Sequence, residues 1–183
     1  MAKFELVSRF KELTNVTFAL PQRATAHAAG YDLYAAEDTV IPSYDVQCRK
    51  MIQEFGDNVD GLPVLSLSQV ATLTKKLKTK PTLVSTGMKV KLAEDEYLEL
   101  LPRSSTPLKY WLVLANSAGI IDSDYYNNPD NEGEIFLQFI NLSPFPILIH
   151  RGDFLGQGII HKYYLTEDDC AGGERQGGFG STH

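Results

Sequence analysis

The chain has 183 residues, 43% of them hydrophobic, which suits one domain with a core of its own. Its net charge of −6 and pI near 5.2 exclude the broad basic face of a nucleic-acid binder, but leave room for a small anion held by a few local donors. No stretch approaches the roughly 20 apolar residues that span a bilayer, no signal peptide opens the chain, and Cys48 and Cys170 stand in no metal or scaffold spacing, so a soluble cytoplasmic protein is expected.

In chain order, residues 4–20 alternate loosely around Val7, Phe10, Leu13, Val16 and Phe18 and predict a first strand. A polar connection over 21–29 leads to strand-like residues 30–36 and a short strand at 39–42. Residues 53–67 carry Gly56, Asp57, Asn58, Asp60, Gly61 and Pro63, which is loop material. Ser68 then suits the cap of a helix running to about Leu77, with Val70, Leu73 and Leu77 on one face and Lys75, Lys76 and Lys78 toward water. Lys80-Pro81 ends it. This is the single helix expected, inserted between strands. Its plain role is a surface flap; a docking surface for a protein partner is the sharper alternative.

Strands are expected at 82–92, with a kink at Gly87, at 97–102, and at 109–115. Two alternating runs, 119–125 and 134–140, flank a loop rich in Asn, Asp, Pro and Gly and read as a β-hairpin. Further strands fall at 146–149 and 155–164. From Thr166 the chain turns polar and glycine-rich, a composition that favours mobility without a ligand. Many short strands, Gly/Pro turns and one helix indicate an all-β sandwich or barrel.

Four segments carry chemistry. Pro102-Arg103-Ser104-Ser105 ends a strand with a guanidinium and two hydroxyls, a compact anion grip, or else a capped turn with a surface ion pair. The tail offers glycine backbone, Ser181 and Thr182 hydroxyls, the Arg175 charge and a stacking face at Phe179. Residues 152–158 read as a β-turn running into a strand, in which Gln157 can hold a water. Asp32 and Asp122 are the candidate catalytic carboxylates. Ile120 and Ile121 precede Asp122, so partial burial and a raised pKa are expected there. The four histidines show no ligand spacing, and no protein metal cluster is read.

Taken in order, these segments resemble the five motifs of the trimeric dUTP diphosphatases, the dUTPases. Ala29-Gly30-Tyr31-Asp32-Leu33 is similar to the first and Pro102-Arg103-Ser104-Ser105 to the second. Residues 119–125 with Gly133-Glu134 resemble the third, 152–157 the fourth, and 177–182 the fifth. Each alone is a weak signal; five in order across nearly the whole chain are a strong one.

The resemblance implies a jelly-roll-like β domain over 1–165 with a helical insertion at about 50–80, and a glycine-rich tail over 166–183 closing over a neighbouring site. It implies a homotrimer whose sites draw on three chains, and a Mg²⁺-dependent split of dUTP into dUMP and pyrophosphate. That reaction keeps uracil out of DNA and supplies dUMP for thymidylate synthesis. By motif position, Asp122 activates the attacking water, Gln157 helps hold it, and Asp32 organises metal-bound waters. Arg103, Ser104, Ser105, Arg175 and the tail Gly180, Ser181 and Thr182 hold phosphates. Gly119, Ile120 and Ile121 read the uracil edge, Asn116 contacts the base region, Tyr125 lies under the deoxyribose, and Phe179 stacks on uracil. The ion is ligated mainly by triphosphate and water.

The sequence departs from the family pattern in places. Residues 126–132 lengthen the loop, Phe154 stands where many members carry Arg, and Gly156 where they carry Ala. Arg175 is one residue nearer the aromatic, and the stretch 49–80 is long. The rival readings are a dCTP deaminase, which shares the fold, and a regulatory binding protein on the same scaffold.

Overall fold

The computed structural model describes residues 1–13, 17–54, 64–173, 175, 177 and 178. The chain runs β1 (Lys3–Leu6), α1 (Ser8–Lys11), β2 (Tyr31–Tyr34), β3 (Thr39–Ile41), then two helices, α2 (Tyr44–Gln53) and α3 (Leu67–Leu77). It continues with β4 (Thr82–Ser85), β5 (Met88–Lys91), β6 (Glu96–Pro102), α4 (Ser105–Tyr110), β7 (Leu112–Leu114) and β8 (Gly119–Asp122). A 3-10 turn at Ser123–Tyr125 precedes β9 (Phe136–Asn141), β10 (Ile147–Ile149) and β11 (Phe154–Lys162).

The two larger sheets are ordered β2-β11-β6-β8 and β4-β9-β7, with β1 pairing β5 and β10 pairing β3. Every named ladder is antiparallel. Period-two patterning explains the core. Along β9, Leu137 and Phe139 are buried while Phe136, Gln138 and Ile140 between them are only partly covered. Leu33, Leu98, Leu100, Ile121 and Leu155 from one sheet join Val84, Leu112, Leu114, Leu137 and Phe139 from the other in a single cluster. The result is the expected all-β fold.

Several elements differ from the sequence reading. The first strand stops at Leu6, because the chain then turns so that Phe10 packs with Val7 and Ala36 in a second small cluster. Residues 105–110 are helical, with Pro107 tolerated in the first turn, and the strand starts only at Leu112 after Trp111 adopts φ 56°. The run at 119–125 and the run at 134–140 do not form a hairpin. β8 pairs β6, whereas β9 lies between β4 and β7 in the other sheet.

Between β3 and β4 the chain holds α2 as well as the expected helix, and α2 begins ahead of the expected insertion. Helix α3 is capped by Ser66, two residues before the predicted Ser68. The Ser66 hydroxyl accepts from the Gln69 N–H at 3.3 Å, and the Gln69 side chain accepts from the Ser66 N–H at 2.9 Å. Replacing Ser66 with Ala is expected to weaken this helix by about 1 kcal/mol, read as roughly fivefold faster amide exchange at Gln69 and Val70. Among the described residues no helix is long and apolar enough to cross a membrane. Cys48 and Cys170 are both free thiols.

Candidate active site

β8 is the last strand of its sheet, so one row of its backbone N–H and C=O groups points away from β6. A tight turn leads into it, with Ser117 at φ 61° and the Ala118 N–H donating to the Asn116 carbonyl at 2.6 Å. β8 ends at Asp122 in extended backbone, and the 3-10 turn then swings the Tyr125 ring inward to 4% exposure. The space enclosed is about 290 Å³, and Asn116, Gly119, Asp122, Tyr125, Gln138 and Arg175 are on its wall. Ile120 and Ile121 line it too. The backbone of Gly178 lies against Tyr125, so close that a Cβ there would sit 2.7 Å from the ring edge.

Asp122 is less buried than its apolar neighbours suggest, with 48% of its side chain exposed. What constrains it is charge. Arg175 forms an ion pair with Asp122 and donates from Nε to Asp124 at 2.7 Å. Burial works against the Arg175 charge, but the Asp124 and Asp122 carboxylates outweigh it and raise the guanidinium pKa further. Burial likewise pushes the Tyr125 phenol up, opposed by a hydrogen bond from Asn131.

The segment expected to grip an anion lies elsewhere on the chain. Arg103 and Ser105 line a separate cavity of about 250 Å³ with Asp153 and Phe154. The Arg103 guanidinium sits 3.7 Å from the Phe154 ring centroid. Phe154, which departs from the arginine of the resembled motif, is thus a platform for the neighbouring arginine. Ser104 is exposed at the entrance to α4. Asp32 and Gln157 are direct ladder partners on β2 and β11, and Asp32 opens onto a third cavity of about 380 Å³ beside Arg151 and Gly152.

Register fixes how far apart these groups are. Asp122 lies opposite Tyr97 on β6, whereas Gln157 lies opposite Leu101 on the far side of the same strand. Four residues along and two strand gaps across place their Cα atoms roughly 16 Å apart. One chain therefore gathers Asn116, Gly119, Ile120, Ile121, Asp122, Tyr125 and Arg175, and separately Asp32 with Gln157 and Arg103 with Ser105. It does not bring Asp122 to Gln157 or Arg103 to Arg175. Phe179, Gly180, Ser181 and Thr182 lie outside the described residues.

Two pocket residues escaped the sequence reading. Phe136 and Gln138 line the space beside Tyr125. The alternation of β9 puts them on one face, but only the sheet order shows that this face meets the pocket.

The geometry has counterparts in known proteins. The family model for dUTPase matches residues 64–182. A deoxyuridine 5'-triphosphate nucleotidohydrolase of Lactococcus lactis is 34% identical over 98% of this chain and 95% of its own length. The Rickettsia typhi enzyme of the same name is 31% identical, covering 95% of each chain. Among solved structures, the dUTPase of Streptococcus mutans superposes with a TM-score of 0.64 at 34% identity, covering 90% of this chain and 98% of that one. A dUTPase from phage phi11 of S. aureus, described with a structural Mg(II) ion, shares the fold at 17% identity and a TM-score of 0.57, covering 93% of this chain and 96% of that one.

Proposed function

We infer the chemistry of this pocket from one premise: the chain belongs to the dUTPase family. It is a dUTP diphosphatase that hydrolyses dUTP to dUMP and pyrophosphate. The residue roles are our proposal, and the observation that carries them is the half-exposed Asp122 carboxylate on the wall of a pocket floored by a buried tyrosine. Asp122 accepts a proton from a water. The water oxygen bonds to the α-phosphorus, the bond to the bridging oxygen breaks, and pyrophosphate leaves with the electron pair. The outward backbone of Gly119, Ile120 and Ile121 reads the uracil edge, Asn116 meets the base region, and Tyr125 lies under the deoxyribose. Arg103, Ser104 and Ser105 hold phosphates, joined by Gly180, Ser181 and Thr182 of the tail, while Phe179 stacks on uracil.

Arg175 has two stations in this scheme. In the free chain it occupies the lone pairs of Asp122. Over a triphosphate it would move to the phosphates and leave Asp122 free to take a proton.

Magnesium fits the donor set through Asp32. This carboxylate is partly open at a cavity mouth, beside the Gln157 amide. Among the described residues no group of three His, Cys, Asp or Glu side chains could cage an ion. Substrate phosphates and water, with Asp32 holding those waters in place, would be a donor set that Mg²⁺ accepts. When bound, the ion would neutralise charge building on the leaving pyrophosphate.

The roughly 16 Å between Asp122 and Gln157 also favours a homotrimer in which different chains supply the two sides of each site. We place the enzyme in the cytoplasm, acting on free nucleotide. The insertion, with Leu67 at 90% exposure, is the surface where a protein partner would dock.

The experiment is pyrophosphate release from dUTP, dCTP, dTTP and UTP, with and without Mg²⁺. Rapid release from dUTP alone is expected, with dCTP slower by roughly 10⁴-fold because its amino group leaves the uracil-edge partners unpaired. Ammonia from dCTP without pyrophosphate from dUTP would overturn the reading in favour of a deaminase.

A further inference from the structure

The loop at 126–132, longer than the resembled motif requires, ends directly on the tyrosine of the pocket. Asn131 donates from Nδ2 to the Tyr125 hydroxyl at 2.7 Å, while its Oδ1 accepts from the Gly133 N–H at 3.0 Å. The second bond decides the first. With the oxygen committed to a backbone donor, the amide can present only its nitrogen to the phenol. The Tyr125 hydroxyl in turn faces the Glu134 carbonyl at 3.4 Å, a weaker contact.

The loop that carries Asn131 is fastened from several sides. The Asn127 N–H donates to the Glu132 carbonyl at 3.1 Å and the Glu132 N–H to the Asn128 carbonyl at 2.7 Å, closing the loop on itself. Lys89, only 7% exposed, donates to Asn127 Oδ1 at 2.6 Å. The Tyr126 hydroxyl donates to Glu5 at 2.8 Å, and Ser8 Oγ donates to Glu132 at 2.9 Å. Asn127 and Glu132 both sit at φ 60°, a conformation that persists only where the surroundings impose it. So many independent ties leave Asn131 no room to drift.

We propose that Asn131 is a positioning residue that fixes the tilt of Tyr125 and thereby sharpens discrimination between deoxyribose and ribose. A phenol hydroxyl lies on the axis about which the ring flips. A bond to it therefore does not stop flipping; it fixes the direction of the axis. The direction is what matters for a ring that excludes one extra oxygen at the 2′ position. If the ring swings by a few tenths of an ångström, the ribonucleotide fits. The inference rests on the reading that Tyr125 lies under the sugar.

The test compares the ratio of kcat/KM for UTP to that for dUTP in four proteins: the parent, Asn131→Ala, Tyr125→Phe and Tyr125→Ala. Asn131→Ala is expected to raise the ratio up to about 10-fold, the upper worth of one partly buried hydrogen bond, with kcat on dUTP changing less than about threefold. Tyr125→Phe removes the same bond from the other side and keeps the ring, so it should raise the ratio similarly. It also serves if Asn131→Ala does not fold by thermal melt. A ratio unchanged in both, with Tyr125→Ala raising it, overturns the role of Asn131 alone. A ratio unchanged in Tyr125→Ala as well overturns the placement of the sugar.

Discussion

Asp122→Asn is expected to lower turnover of dUTP by at least about 100-fold, the scale of a lost general base, while nucleotide binding persists. The substitution keeps the shape and the hydrogen-bonding reach of the side chain but removes its ability to accept a proton. Little else should change. Asp122 holds its place through the β8–β6 ladder opposite Tyr97, and its side chain is 48% exposed, so folding does not depend on its charge. Arg175 loses one of two carboxylates but keeps Asp124. A non-hydrolysable dUTP analogue titrated by calorimetry should therefore bind within a few-fold of the parent. Single-turnover pyrophosphate release reads the chemical step. A fall smaller than about 10-fold would show that another group takes the proton, and the assignment of the base would be wrong.

Much of this site was legible before any coordinates. Gly119, Asp122 and Tyr125 lie close in sequence, so their spacing in the chain carries directly into one pocket. The all-β class followed from alternation that survives in β9 and β6. What failed has physical causes. Helix α2 carries Tyr44, Cys48, Met51 and Ile52 at helical spacing, a stripe passed over beside the loop-rich stretch that follows, and it buries no residue among those described. The hairpin reading failed because two alternating runs around a turn-rich loop look alike whether they pair with each other or with separate sheets. Arg103 over Phe154 depends on the register of β11 against β6, and the Arg9–Glu134 bond at 2.8 Å joins residues 125 positions apart. Neither leaves a local trace. The residues alone marked Asp32 as a candidate carboxylate and Gln157 as able to hold a water; resemblance to a family supplied the proposed link of Asp32 to metal-bound water.

Mixed assemblies of two inactive variants should regain activity. Asp122→Asn lacks the base and Arg103→Ala lacks a phosphate grip, so each alone is expected to be at least about 100-fold slow. In one chain these two groups line different cavities. Arg103 follows directly on Pro102, and five residues of β6 separate Pro102 from the partner of Asp122, roughly 17 Å of extended strand. With that backbone spacing, and with the two groups on different cavities, a site supplied by neighbouring chains is the simpler arrangement. If neighbouring chains supply the two groups, co-expressing the variants with different tags and isolating mixed trimers restores some sites. Each isolated mixed trimer then has about one site in three with an intact Asp122 facing an intact Arg103. The same mixture has no intact site at all if both residues act within one chain, because every chain carries one lesion. Recovery near a third of parental turnover thus separates a shared site from a self-contained one. Residual activity no higher than either variant would mean that the 290 Å³ pocket works without the grip of a second subunit.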